Sequence, residues 1–421
     1  MNNIVDEIAE DITKRLESNY FPGFGIMPSS DPKSNYYNQL WSRDFAHAAG
    51  NYFTITNPQA VVDSLRTIFK YQRADGALPF RVERQYLLLR LVPGLRFLAW
   101  PLFALIERKS KGWPERPVYE GQDFSGAEDT VPVILISIGK LFENSKEGEE
   151  FVKSHIKQVE KAVSFFKTKI DPDDGLAFFK NHTPDWADSI NRGGKLSDIN
   201  IWWAQSLKYM RDIYTKLGQD TKTKEYGAEF EKVKKSILQK LYSKDGYFKA
   251  TEADNRIDAV ASIFGAMYLL DSVEAEKVEQ TLTARLATVS GLKNFDPPYP
   301  ADSILMLYRT IGHQGYHNEY VWPWVTCQNI FVKIKIALEH PDEFVRAKYK
   351  EESVQDLLSV AQLFHDAGGA YEIFHENDCR PAIEKWYNPP RNFMGSMVGF
   401  QSVYIKLKKL GWLNSTQFQT N

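Results

Sequence analysis

Apolar residues recur at three- and four-residue spacing over most of the chain, the signature of one buried helical face. Windows with this period run from Val5 to Leu16, Pro58 to Tyr71, Glu128 to Phe142, Phe151 to Lys167, Leu196 to Leu217 and Tyr226 to Leu241. They continue from Ala259 to Leu270, Val273 to Ala287, Ala301 to Thr310, Trp324 to Leu338, Glu351 to Phe364 and Asn392 to Leu410. Alternating apolar and polar runs, the mark of a half-buried strand, are scarce, so the pattern predicts an all-α protein of about a dozen helices. Four times a helical window meets a glycine turn followed by an aromatic run: Asp75-Gly76 before Phe80, Asp174-Gly175 before Phe178-Phe179, Asp245-Gly246 before Tyr247-Phe248, and Gly368-Gly369 before Tyr371. Glycine tolerates the left-handed conformation that ends a helix, and Asp-Gly favours tight turns. These copies lie roughly 70 to 120 residues apart, too irregular for a short-period solenoid. They suit helical hairpins closed into a toroid, with variable loops on one face and a single domain spanning residues 1–421.

Bulk properties narrow the class. The 421 residues are 43% hydrophobic and 25% charged, as in an ordinary globular protein with a large core. Fifty-two basic residues against 54 acidic ones leave a net charge of -2 with no long run of either sign. That balance lacks the electrostatic footprint of a nucleic-acid binder. Cys327 and Cys379 form neither a CxxC pair nor a disulfide framework, which points to a reducing, cytoplasmic setting. The N-terminal apolar residues Val5, Ile8, Ile12 and Leu16 are interleaved with acids and Lys14-Arg15, an amphipathic helix unlike a secretion signal.

One stretch departs from this picture. Residues Tyr86 to Ile106 are apolar over about the length of a membrane span. Arg90 and Arg96 lie within it, and Pro93, Gly94 and Pro101 interrupt it. Each arginine would cost a few kcal/mol at bilayer depth, so no transmembrane span is expected. The stretch reads instead as a hydrophobic insertion near residues 85–110 that covers a pocket, or as a contact for a partner or a membrane surface along residues 86–106.

Candidate chemistry gathers in four stretches, against an aromatic content of 14%. Aromatic rings suit the C–H faces of sugars and are also ordinary core material. Trp41-Ser-Arg43-Asp44 places a guanidinium and a carboxylate beside an indole, a set able to clamp vicinal hydroxyls by charge-assisted hydrogen bonds. Glu128-Asp129-Thr130 precedes a helix, where Thr130 or Ser125 could equally serve as a cap. Asp185-Trp186-Ala187-Asp188 is followed by Gly194-Lys195 and by Asp198-Ile-Asn200-Ile-Trp202-Trp203. At helical spacing Asp198 and Trp202 share a face, so one tryptophan can face the pocket while Trp203 joins the core. The last comprises Tyr316-His317-Asn318-Glu319-Tyr320-Val321-Trp322-Pro323-Trp324 and Tyr371-Glu372-Ile-Phe374-His375-Glu376, where a carboxylate follows a Gly-Gly turn among aromatics. No His, Asp or Glu cluster has metal-ligand spacing, Gly193-Gly194-Lys195 is too short for a phosphate-binding loop, and no cofactor or metal is expected.

Taken in order, Trp41-Ser-Arg43-Asp44, Asp129-Thr130, Asp185-Trp186-Ala187-Asp188 with Gly194-Lys195 and Ile199-Asn200, Tyr316-His317-Asn318 with Trp322-Pro323-Trp324, and Glu372 with Pro381 resemble the six-hairpin glycosidases. These include the amylo-α-1,6-glucosidase domains of debranching enzymes, processing α-glucosidases, neutral invertases and mannosylglycerate hydrolases. The resemblance runs from about residue 36 to 405. It implies an (α/α)6 barrel and inverting hydrolysis in a central pocket, with Asp188 matching the general acid and Glu372 the general base. Trp41, Arg43, Asp44, Asp129, Trp186, Lys195, Asn200, His317, Asn318 and Trp322 match the positions around the bound sugar. Inversion pairs one protonated carboxyl with one ionised carboxylate about 6.5–9.5 Å apart on opposite faces of the ring. Burial by Trp186 is expected to raise the pKa of the acid.

The sequence departs from the family pattern at Glu319, where a small residue is usual, and at His375-Glu376, which replaces Asp-Pro. Glu376 therefore competes with Glu372, and Asp185 with Asp188. Three functions fit the residues: an exo-acting inverting hydrolase of an α-linked disaccharide, short oligosaccharide or small glycosyl conjugate; a sugar epimerase or isomerase on the same toroid using His317 and His375; and a catalytically degenerate sugar-binding protein anchored through residues 86–106. A small carbohydrate is the expected partner.

Overall fold

The computed structural model describes residues 2–29, 39–84, 115–121, 126–182, 185–384 and 387–413. Twelve long helices dominate them: α1 (Asn2–Ser18), α2 (Ser42–Ala48, prolonged by a π-helical turn, Ala49–Phe53, and by Thr54–Thr56), α3 (Pro58–Lys70), α4 (Thr130–Asn144), α5 (Lys146–Lys167) and α6 (Ser197–Lys216). The series continues with α7 (Asp220–Lys240), α8 (Ala259–Tyr268), α9 (Ser272–Leu286), α10 (Pro323–Glu339), α11 (Glu343–Ala367) and α12 (Met394–Lys409). Even-numbered helices form an inner ring in which α2 packs on α4, α4 on α6, and so on through α8, α10 and α12 until α12 returns to α2. Odd-numbered helices lie outside, each beside the inner helix that precedes or follows it. The expected (α/α)6 toroid is the architecture observed.

Sequence explains the two rings. Outer α5 is amphipathic and buries Phe151, Val152, Val159, Ala162, Val163 and Phe166 while its charged face meets water. Inner helices are enclosed on all sides, and α4 buries an almost unbroken run from Thr130 to Gly139. Small residues let the inner helices approach: a Cβ added at Gly139 of α4 would lie 2.2 Å from the Tyr209 ring of α6. Inner α2 escapes a search for helical period for another reason, its length. Its seven residues, Ser42 to Ala48, give fewer than two turns before the π-helical turn, too few for a three- and four-residue period to show. Conversely, the helical window from Ala301 to Thr310 resolves into a 3-10 turn (Ala301–Ser303) and a short helix (Met306–Thr310), with Met306 and Leu307 left in solvent.

Connections at the two ends differ sharply, and that difference places the site. Passage from an inner helix to the next outer one takes only residues 57, 145, 217–219, 269–271 or 340–342. In four of these turns a side chain caps the new helix: Asn57 accepts from the Ala60 N–H, Ser145 from Gly148, Asp271 from Val273 and Glu274, and Asp342 from Phe344 and Val345. Passage from outer to inner uses the long segments 19–41, 71–129, 168–196, 241–258, 287–322 and 368–393. All six long connections therefore open at the end where the inner helices begin. They contain short antiparallel pairings of two to four residues, too brief to show alternation in sequence. In one, Gln39–Trp41 pairs with Arg81–Arg84, which pairs with Glu115–Val118, and Arg84 faces Glu115. The apolar insertion leaves and re-enters the fold at that rung, and its own residues, 85–114, lie outside the described ones. Among the described residues, no helix is long and apolar enough to cross a membrane.

Candidate active site

Six inner-helix N-termini, each with a partial positive charge, surround the mouth of the barrel and favour carboxylates there. Asp44 lies in the first turn of α2, Asp129 immediately precedes α4, Asp198 starts α6 and Asp258 caps α8 by accepting from the Ala261 N–H at 2.9 Å. Arg43 ties the first two helices together. It is buried and donates from Nε to Asp129 Oδ2 at 2.5 Å and from Nη2 to Oδ1 at 3.2 Å, while Nη1 reaches Asp188 Oδ2 at 3.4 Å. Its position follows from the strand before it, since Ser42 is anchored by its N–H to Phe80 O and by its hydroxyl to Pro79 O.

Three carboxyl groups thus crowd one guanidinium. Burial pushes Asp188 up to about 6, opposed by Arg43 and reinforced by Asp185 and Asp44. Burial also raises Asp129 and Asp44 to about 6, again against the pull of Arg43. Desolvation of the Asp188 carboxyl is the dominant cause. Trp186, 4% exposed, packs edge-on against His317, Trp322 and Trp324 at centroid distances of 5.4, 6.1 and 5.3 Å, an apolar wall beside it. His317 stacks on Trp322 at 4.9 Å and 8°, accepts from the Ser189 N–H through Nδ1 at 3.3 Å and meets the Ser189 hydroxyl at 3.0 Å. Burial and the charge of Arg43 hold His317 well below its ordinary pKa, so it is a neutral ring 3.9 Å from Asp188 Oδ1.

Asp185 has a different task. It is fully buried, accepts from the Ala187 N–H at 2.8 Å and shares Arg192 with Asp198 and Asp258 at 2.8, 2.5 and 2.9 Å. Arg192 therefore clamps the loop that carries Asp188 to the first turns of α6 and α8. Burial drives Asp198 well above the usual carboxylate range and raises Asp258, with Arg192 opposing both.

Glu372 is completely buried. Tyr316 donates to its Oε1 at 3.0 Å, and Tyr387 donates to Oε2. Reciprocal hydrogen bonds between Val321 and Phe374, both 2.9 Å, hold the Glu372 segment beside the one that leads into Trp322. Trp322 Nε1 in turn donates to Tyr316 O at 2.7 Å. Behind the tyrosine pair sits His313, buried and pushed down to about 4.

Arg43, Asp44, Asp129, Trp186, Asp188, His317 and Trp322 are brought together, and Glu372 joins them through Tyr316, whose ring packs on both His317 and Trp322. Trp41 stands at the rim, half-buried, beneath the Arg81 guanidinium. Three expected residues have other partners. Lys195 is paired with Asp171 at 2.8 Å and with Asp174. Asn200 bridges the backbone of Ala177 and Leu196, and Asn318 clamps the Tyr299 backbone through both ends of its amide. Glu319 is exposed and Glu376 is half-buried with Asn377 as its partner, so neither carboxylate joins the cluster. Trp202 faces inward against His47 and Phe264, and Trp203 packs on Phe166. Arg192 opens the Arg192-Gly193-Gly194-Lys195 run that follows the Asp188 stretch, with nothing in the sequence to give its role, and only the Pro389-Pro390 turn after Tyr387 hints at an ordered loop there.

The fold and this ring of acids and aromatics define the class of (α/α)6 glycosidases. The sequence matches the amylo-alpha-1,6-glucosidase family over residues 26–379, and the chain belongs to that family, a family of glycoside hydrolases. No curated protein matches it by sequence. Among solved structures, it is similar to a rhamnosidase from Klebsiella oxytoca with rhamnose bound, at 12% identity and a TM-score of 0.65, over 97% of this chain and 64% of that one. It is also similar to a GH63 mannosylglycerate hydrolase from Thermus thermophilus in complex with Tris and D-glycerate, at 12% identity and a TM-score of 0.62, over 95% of this chain and 100% of the other. At these identities the likeness is one of fold.

Proposed function

We propose that this chain is an exo-acting inverting glycoside hydrolase of an α-linked disaccharide, short oligosaccharide or small glycosyl conjugate, with Asp188 as general acid and Glu372 as general base. The observation that carries the reading is the contrast between two buried carboxyl groups. Asp188, raised by desolvation, can hold a proton near neutrality, whereas Glu372 accepts from two tyrosine hydroxyls, an arrangement that suits an ionised carboxylate. Arg43, Asp44 and Asp129 supply charged groups for sugar hydroxyls, and Trp41, Trp186 and Trp322 supply flat apolar faces. The solved relatives hold small ligands, rhamnose in one and D-glycerate in another, which favours a small substrate. An isomerase would need histidines free to exchange protons with the sugar, but His317 is buried, its Nδ1 engaged by Ser189 and its ring face stacked on Trp322. Two unpaired cysteines favour a cytoplasmic site of action.

A panel of α-glucosides, α-mannosides, sucrose and glycosylglycerates tests this reading; release of free sugar from at least one supports it, and none from any would reject it. The pH profile gives a second prediction. The donor must be protonated, and burial lifts Asp188 from the ordinary range to about 6, so its proton is lost as pH rises through 6. The value of kcat/KM should fall about tenfold per unit above that pH. A flat profile between about pH 5 and 8 would contradict the assignment. Lys195→Ala should leave hydrolysis within about twofold and lower stability by about 1 kcal/mol or less, because its pairs with Asp171 and Asp174 are only partly buried. An activity loss beyond tenfold would return Lys195 to the sugar site.

A further inference from the structure

The short helix Met306–Thr310 ends in a turn that carries one ring to the neighbourhood of Glu372. Ile311 caps the helix, and Gly312 follows with a φ of 74°, the left-handed conformation that glycine adopts without strain. Gly312 N–H donates to Arg309 O at 3.2 Å and His313 N–H to Tyr308 O at 2.8 Å, the paired bonds of a Schellman motif. The side-chain contact that accompanies this motif is present too, since the His313 ring stacks on Tyr308 at 6.3 Å and 15°. At its other end the helix is held by Leu305, whose N–H donates to Ser189 O at 2.9 Å. Backbone bonds on both sides therefore fix where the His313 ring stands.

That place is against both phenols that hold Glu372. His313 is completely buried, and its ring lies 4.7 Å from Tyr316 at 37° and 4.4 Å from Tyr387 at 35°, with Tyr320 at 5.6 Å on another side. Neither ring nitrogen has a hydrogen-bond partner among the described residues, so what this side chain offers its neighbours is its faces. Burial pushes the imidazole down to about 4, reinforced by the charge of His375, and near neutrality it is an uncharged ring. Tyr316 and Tyr387 stand 71 positions apart in the chain, yet their hydroxyls come within 3.3 Å of each other while each donates to Glu372. We propose that His313 is a positioning residue for the base: its ring sets the placement of Tyr316 and Tyr387 so that both hydroxyls stay on the Glu372 carboxylate. The proposal rests on reading Glu372 as the base. A smaller side chain would leave a void into which either tyrosine ring could turn, and an aliphatic one would lack the flat faces that both rings meet.

Kinetics of His313→Ala and His313→Phe on a hydrolysed glycoside test it, each in the native background and in a Tyr316→Phe/Tyr387→Phe background. In the native background alanine should lower kcat/KM at least about tenfold and move its acid limb, where the base takes up a proton, up by about one pH unit, because a carboxylate that loses hydrogen-bond donors ionises less readily. Phenylalanine keeps the ring and should stay within about threefold, with the acid limb unmoved. Where the phenol hydroxyls are already gone, alanine should cost less than about twofold, since the ring has nothing left to position. Equal losses in both backgrounds, an acid limb that stays in place, or a phenylalanine variant as impaired as the alanine one, beside an inactive Glu372→Gln, would overturn the proposal alone. Full activity of Glu372→Gln would remove the base assignment and the proposal with it. Should the alanine variant not fold, His313→Gln, close in volume but without the ring, takes its place. If no glycoside is hydrolysed, the crystal structure of that variant decides: a phenol withdrawn from Glu372 supports the positioning role, and both hydroxyls still on the carboxylate overturn it.

Discussion

Asp188→Asn is expected to lower kcat/KM by about 10²- to 10⁴-fold on glycosides of ordinary alcohols, because it removes the proton that stabilises the departing oxygen. The loss should shrink on glycosyl fluorides or dinitrophenyl glycosides, whose leaving groups need no proton. Glu372→Gln is expected to suppress both kinds of substrate, since the water that displaces either leaving group must lose its proton to the base in that same step. Asparagine and glutamine preserve shape, and the amides can still meet Arg43, Tyr316 and Tyr387, so unfolding is not the expected cause. Steady-state kinetics on matched substrates with activated and unactivated leaving groups checks this. Equal losses on both classes for Asp188→Asn would remove it from the role of donor.

Arg192→Met is expected to destabilise the fold by about 3–5 kcal/mol, because it leaves Asp185, Asp198 and Asp258 buried with no opposite charge. The arginine is 3% exposed and also lies over the Phe295 ring, so no water can take its place cheaply. Asp198→Asn should be milder, because it leaves Arg192 still balanced by Asp185 and Asp258 and strands no buried charge without a partner. Urea unfolding of both variants measures the difference. Similar losses would mean that charge neutralisation is not what Arg192 supplies.

These two clusters show how far the sequence alone reaches. The outer helices are legible because half of each faces water, which imposes the three- and four-residue period. Inner α2 is not, because its seven residues are too few for the period to repeat. Arg43, Asp44, Asp129, Asp188 and Glu372 stand in short runs with aromatic and glycine neighbours, and the loops that carry them all open at one end of the barrel. Arg192 stands in a Gly-Gly run and Tyr387 before a Pro-Pro turn, but neither pattern gives a role, which only their contacts reveal. Lys195 and Asn200 share the same local motif as Asp188, yet a few residues of helix and turn direct them to Asp171, Asp174 and the Ala177 backbone instead. Proximity in sequence to a candidate catalytic carboxyl is a poor guide to which way a side chain points.

The most direct test of the account is the anomeric form of the first sugar released. Hydrolysis of an α-glycoside followed by proton NMR from the earliest minutes, before mutarotation, should show the β-anomer appearing first. That result follows from water activated by Glu372 on the ring face opposite the bond protonated by Asp188. Initial release of the α-anomer would mean retention, and the proposed pairing of Asp188 with Glu372 would be wrong.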